Sequence, residues 1–312
     1  MALLGNVTAV LGKGLGSSLG RKGTASDITL YNHKVNDTIL SFVEPSSYPE
    51  KIQSLVSSLY MADQALLKVD AVDAYFAESV VALDALNLSR GYMILGEGVN
   101  ADVVKSFIAG TVVSKYELVE EQVVAVMEKL VQLQPAGEGE AIVQIDHSFS
   151  VRGVGTVALG VVKAGKIKKH DEVIIYPQRK RTQVKSVQVH DVDVEDATPG
   201  VRVGLSLKNV EPEDVPRGAI ISTSASIKTE KRIEAEAHLT KYSKRGIVLG
   251  DVIHVAAYLN YTPARVVSGG VAAGGSGNVL LELEKEVPIL SGRLLLLDPG
   301  QKPPRVFGYI NL

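Results

Sequence analysis

The spacing of apolar residues changes character at one place, the stretch QPAGEG at 134–139, and that change constrains the fold more than any other feature. Upstream, residues 7–11, 38–43, 65–69 and 92–95 are compact apolar runs that predict buried strands. Between them, Ile52, Leu55, Val56, Leu59 and Tyr60 fall on one helical face, and 79–88 and 118–133 read as further helices. The last has acidic residues at its start, which suits the helix dipole. Strands interleaved with helices predict a Rossmann-like α/β domain over 1–134, a parallel sheet covered on both faces. Downstream the runs AIVQI, TVALGVV, EVIIY, VKSVQV, VRVGLSL and AIIST are short, rich in Val and Ile, and recur about every ten residues. That predicts an antiparallel barrel or sandwich over 135–226. A second set, from RIEAEAHL to RLLLLD, predicts another over 227–312. The expected class is therefore multidomain, α/β followed by all-β.

A length of 312 residues exceeds what one core usually spans, in keeping with three units. With 46% hydrophobic and 22% charged residues the chain reads as globular, not disordered. There is no run of eighteen apolar residues, and MALLGNVTAV lacks a basic leader with a long apolar stretch. Neither a membrane span nor a signal peptide is expected. Cysteine is absent, which excludes disulfides and thiolate chemistry and fits a cytoplasmic location. The net charge of −2 conceals an asymmetry: 1–136 carry ten Lys/Arg against fifteen Asp/Glu, 137–226 balance, and 227–312 come to +3. A basic surface for nucleic acid belongs on the later domains.

The stretch LGKGLGSSLGRKGTASD at 11–27 follows the first predicted strand, where a glycine-rich turn can cradle phosphate. Gly12, Lys13, Gly14, Gly16, Ser17 and Ser18 are the candidate nucleotide residues, with Glu44 at the end of a later strand. A phosphate loop needs G-x-x-x-x-G-K-[ST], because backbone N–H groups wrap the phosphates, Lys neutralises them and the hydroxyl binds Mg²⁺. Counted from Gly12, Ser17 stands for the second glycine, Ser18 for the lysine and Leu19 for the hydroxyl. Lys13, Arg21 and Lys22 are the cations that could compensate. Gly14-x-Gly16-x-x-x-Gly20 is also a variant of the dinucleotide fingerprint, with Glu44 as the ribose-binding carboxylate. Against it, RKGTASDITLYNHK after Gly20 is a poor helix.

The six histidines are scattered without an H-x-x-x-H pair, so no metal site is expected. Asp191, Asp193, Glu195 and Asp196 read as a solvated loop before a Pro-Gly turn. There is no G-x-S-x-G nucleophile motif. A basic cluster, Lys163, Lys166, Lys168, Lys169, Arg179, Lys180, Arg181 and Lys185, faces only Asp171 and Glu172 within its span. It is either a stripe for RNA phosphates or a solvated strand-and-turn surface. Stacking aromatics are scarce near it, which argues against base-specific readout.

The stretch FSVRGVGTVALGVVKAGKIKKHDEV at 149–173 closely resembles the second domain of translational GTPases, the group containing elongation factor Tu and the selenocysteine-specific elongation factor. Gly153, Gly155, Gly160, Gly165, Ile167, Asp171 and Val173 match its pattern, as do ATPG at 197–200, Gly204-Leu205 and Arg217-Gly218. Residues 227–312 resemble the third domain of elongation factor Tu in length and strand pattern. Residues 42–65 align with the segment holding the family's Asp-x-Pro-Gly-His motif, but Glu44, Ser47 and Tyr48 stand for its Asp, Gly and His. The guanine-reading Asn-Lys-x-Asp falls on Gly98-Val99-Asn100-Ala101, and the interval before Gly23-Thr24 is too short for the first switch. The resemblance thus implies a GTPase domain that no longer hydrolyses GTP, followed by two barrels. No cofactor is expected, GTP being the nucleotide the resemblance allows. It also implies tRNA, the ribosome or a translation protein as partner, with no DNA and no membrane. Arg152 in the glycine turn and the basic stripe are then candidate contacts.

Overall fold

The computed structural model describes residues 4–312. The α/β domain comprises β1 (Leu4–Leu11), α1 (Leu15–Leu19), β2 (Arg21–Ala25), β3 (Thr29–Val35), β4 (Thr38–Glu44), α2 (Ile52–Met61), β5 (Gln64–Val69), α3 (Ala74–Leu86), β6 (Gly91–Leu95), α4 (Ala101–Ile108), β7 (Glu117–Leu118) and α5 (Val123–Leu130). Its strands run in the order β2-β3-β4-β1-β5-β6-β7. The pairs from β4 to β7 are parallel, whereas β2 and β3 are antiparallel additions at one edge. The segment after Gly20 is therefore a hairpin, as its poor helix pattern suggested. Two helices differ from their sequence reading. Asp73 accepts from the N–H groups of Tyr75 and Phe76, which starts α3 five residues before position 79. The apolar run 118–133 splits, because Leu118 pairs with Met93 as the sheet edge and only Val123–Leu130 coils.

Both later units close on themselves. The first uses β8 (Ile142–Val151), β9 (Gly155–Ala164), β10 (Ile167–Lys168), β11 (Glu172–Tyr176), β12 (Lys180–Val189), β13 (Val192–Val194), β14 (Asp196–Ala197), β15 (Arg202–Leu207) and β16 (Ile220–Ser222). Its sheet order β11-β16-β8-β9-β15-β12 closes through β11–β12 pairing. The second comprises β17 (Lys228–Leu239), β18 (Val252–Ala257), β19 (Asn260–Gly269), β20 (Ser276–Ile289), β21 (Arg293–Leu297) and β22 (Val306–Asn311), closed as β17-β20-β19-β18-β21-β22. Barrel closure removes exposed sheet edges, and each barrel holds its own apolar core.

The units are joined by polar contacts inside apolar seams. Leu295 and Val306 of the second barrel share one cluster with α2 and α3. There the Tyr60 hydroxyl donates to the Ala256 carbonyl at 2.7 Å and accepts from the Leu295 N–H at 3.1 Å. Arg305 makes a buried ion pair with Glu78 of α3, Nε to Oε1 at 3.0 Å and Nη2 to Oε2 at 2.6 Å. Arg217 of the first barrel pairs with Asp27, Nη2 to Oδ2 at 3.1 Å. Asn260 donates to the Gly218 carbonyl at 2.8 Å across the two barrels.

Candidate functional site

The glycine-rich loop holds an anion supplied by the chain itself. The Glu44 carboxylate, at the end of β4, accepts from the Gly14 N–H at 2.8 Å and from the Gly16 N–H at 2.9 Å, one oxygen each. These are amides that a phosphate loop would turn to its ligand. Glu44 is buried, and it packs against the Tyr31 ring above Gly16. A Cβ on Gly16 would lie 2.7 Å from the carboxylate and 2.6 Å from that ring, so the close approach requires glycine. Burial pushes the Tyr31 phenol above its ordinary pKa, and the Glu44 charge adds to the rise.

The neighbouring positions are engaged locally. Ser17 Oγ donates to the Gly14 carbonyl and Ser18 Oγ to the Leu15 carbonyl, each at 2.7 Å. Leu19 is buried among Val10, Phe42, Leu66 and Leu130, so the position of the Mg²⁺ hydroxyl is part of the core. Helix α1 spans only Leu15–Leu19 before the chain turns into β2. The Ser47 N–H donates to the Asp27 carbonyl at 2.9 Å and is not free to meet a phosphate. The Tyr48 hydroxyl donates to the Tyr75 carbonyl at 2.9 Å, and the Arg305 guanidinium lies 5.8 Å from its ring. Burial and the nearby Glu78 charge push that phenol far above its ordinary pKa, so it stays neutral. Asn100 caps α4, accepting from Asp102 and Val103 N–H groups.

A cleft of about 400 Å³ opens beside the loop, lined by Lys13 and Lys68 against Glu44, Glu50, Asp70 and Asp73. Two cations against four carboxylates make a poor receptacle for a triphosphate. Lys68 is further engaged by Glu121, at 2.5 Å. The residues present thus lack the lysine and hydroxyl that Mg²⁺-nucleotide chemistry uses. Among the described residues no cluster of three His, Asp or Glu could hold a metal ion.

The basic cluster does not form one free stripe. Lys163 turns into the junction with the α/β domain, donating to Met61 and Ala62 carbonyls at 3.1 and 3.3 Å and to Asp63 at 3.0 Å. It is a tether, which the sequence could not reveal because its partners lie about a hundred residues away. Lys166 pairs with Asp196 at 3.4 Å, Lys180 with Asp214, and Lys185 donates to the Val154 carbonyl. Asp171, counted as a counter-charge, instead caps its own turn through the Lys168 N–H. Arg152, Lys168, Lys169, Arg179 and Arg181 remain exposed.

The strand plan has known counterparts. The family model for elongation factor Tu domain 2 matches residues 155–222. A Methanocaldococcus jannaschii protein described as uncharacterized is 34% identical over 298 residues, covering 95% of both chains. The first barrel thus carries elongation factor Tu domain 2, and the similarity of the chain as a whole is to the translational GTPase family. Within it, the selenocysteine-specific elongation factor of the same organism is 24% identical over 338 residues, covering 93% of this chain and 71% of that one. The fold of the Methanococcus maripaludis factor SelB, solved with the GTP analogue GppNHp, superposes with a TM-score of 0.80 at 20% identity, over 100% of this chain and 80% of that one. Among the described residues no helix is long and apolar enough to cross a membrane.

Proposed function

We propose that this chain is a translation-factor relative that does not hydrolyse GTP and acts in the cytoplasm by binding tRNA, the ribosome or a translational protein. The observation that carries the first half is the Glu44 carboxylate seated on the Gly14 and Gly16 amides. An incoming phosphate would meet a like charge there instead of a lysine. At about 4 Å such a pair repels by roughly 1 kcal/mol in water and by several-fold more where solvent is excluded. The second half is supported by the chain's similarity to the translational GTPase family and by its elongation-factor barrel. The M. jannaschii protein that aligns over 95% of this chain is separate from that organism's selenocysteine-specific factor. A distinct role for this branch follows naturally.

Titration with a fluorescent GTP analogue in Mg²⁺ tests the first half, with no saturable signal expected. Micromolar, Mg²⁺-dependent binding overturns it. A pull-down from native extract tests the second half. RNA that survives a salt wash is the expected result; protein partners without RNA redirect the reading to an adaptor.

A further inference from the structure

We propose that the seam between the two barrels carries an oxyanion site for backbone phosphates of an RNA strand, formed by Arg179, Arg181 and Lys228; this rests on the RNA branch of the reading above. Residues 179–181 are consecutive, yet they part company in space. Lys180 opens β12 and pairs with Asp214, while Arg179, in the turn before it at φ +55°, and Arg181, the next residue of the strand, line a cleft. That cleft, of about 340 Å³, is bounded across the inter-barrel linker by Ser226 and Lys228, with Ile174 and Tyr176 also lining it. Among the described residues no carboxylate lines it.

The three cations differ in their partners from the engaged lysines of the basic cluster, and Lys168 and Lys169, whose side chains are also unpaired among the described residues, do not line this cleft. Arg179 donates only to the Thr229 hydroxyl, at 3.3 Å, and that hydroxyl in turn donates to Glu286 at 3.0 Å. The side chains of Arg181 and Lys228 have no hydrogen bond or ion pair among the described residues. Lys163, Lys166, Lys180 and Lys185 are all engaged. Like charges gathered with no carboxylate directly paired to them raise the local potential, and a bound anion relieves it. Guanidinium forks suit phosphate oxygens.

The framework is fixed. Arg181 sits opposite Ile174, which sits opposite Ser222. The buried Tyr176 hydroxyl donates to the Ser224 carbonyl at 2.9 Å, and Ser224 and Ser226 hydroxyls lie 2.8 Å apart. Burial pushes the Tyr176 phenol up and the Glu140 charge adds to the rise, while the Arg179 and Arg181 charges pull it down. The cleft is lined by no exposed aromatic face on which a base could stack, so it suits a backbone phosphate and sequence-independent binding.

The test titrates a fluorescein-labelled single-stranded 12-mer RNA at several salt concentrations against the full chain. The variants are a cleft triple (Arg179→Gln, Arg181→Gln, Lys228→Gln) and a control pair (Lys166→Gln, Lys168→Gln). We expect the cleft triple to bind at least about tenfold more weakly and its log–log salt slope to flatten by about two, near 0.7 per lost phosphate contact. The control pair should stay within about twofold, and thermal midpoints should match because the altered residues are exposed. Inorganic phosphate should displace the RNA better than chloride at equal ionic strength. Unchanged affinity in the cleft triple overturns the site. Loss in the control pair alone overturns it too, while leaving the RNA reading standing. Phosphate binding without RNA binding overturns the RNA source. Neither RNA nor phosphate bound by the unaltered chain removes both the site and the RNA branch.

Discussion

Two glycines of the chain, Gly200 and Gly16, answer to different demands. At the foot of the first barrel, Gly200 has φ +82°, and a Cβ there would lie 2.3 Å from the Gly5 carbonyl and 2.5 Å from the Pro135 ring. Backbone shape and the packing of β1 against the barrel leave no alternative to glycine. In the nucleotide loop, Gly16 is glycine because a carboxylate and a tyrosine ring press on it. The first kind of glycine marks a fold. The second marks a close approach and does not name the ligand; here the occupant is Glu44 of the same chain. Fold and chemistry are therefore separable within one molecule, as the family's barrel plan with a filled loop illustrates.

That contrast can be tested in order of effect. The largest change is expected where the loop's cleft meets the second barrel. Arg305→Met should lower unfolding stability by about 3–5 kcal/mol, because it leaves the buried Glu78 carboxylate without its ion pair. Denaturant unfolding measures it, and a loss under 1 kcal/mol would mean that water or a neighbour replaces the guanidinium. Gly200→Ala comes next, at about 3 kcal/mol, from strained φ and backbone overlap. Glu44→Ala should cost about 1–3 kcal/mol by removing the acceptor of two amides. If Glu44→Ala instead gained Mg²⁺-GTP affinity without any cost, the carboxylate would be a removable plug and not part of the framework.

The smallest effect concerns Asp27 and Arg217. Burial alone would raise the Asp27 carboxyl, but the hydrogen bond and charge of Arg217 outweigh it and hold the pKa below the ordinary value. A depressed folded pKa adds stability that is complete above the unfolded value of about 3.9 and is lost as pH falls through the folded one. Arg217→Met should thus cost about 1 kcal/mol at neutral pH, with the difference from the unaltered chain closing as pH falls below the ordinary carboxylate range. A difference that stays constant with pH would assign the cost to packing.

Much of this was readable beforehand, and the residues show why. The run after residue 140 encodes strand period and turn chemistry in contiguous residues, so both β units and the family pattern were visible without coordinates. Ser17, Ser18 and Leu19 stand at fixed offsets, so the departure from a phosphate loop was equally plain. The ends of α3 and the split of 118–133 were less so, since capping by Asp73 and edge pairing by Leu118 compete with an apolar pattern. The pairings inside the basic cluster were not legible, because the counter-charges of Lys163, Lys166 and Lys180 lie 30 or more positions away, Asp63 in another domain and Asp196 and Asp214 across the same barrel.

By itself the sequence determined the order of the three units, the turns of the first barrel and the missing lysine of the loop. Each depends on residues close together along the chain. Tertiary structure alone decided that Glu44, 28 residues beyond Gly16, fills the loop, that Lys163 reaches Asp63, and that Arg305 meets Glu78 across 227 positions. Such pairings depend on how separately folded layers dock, and no local period records them.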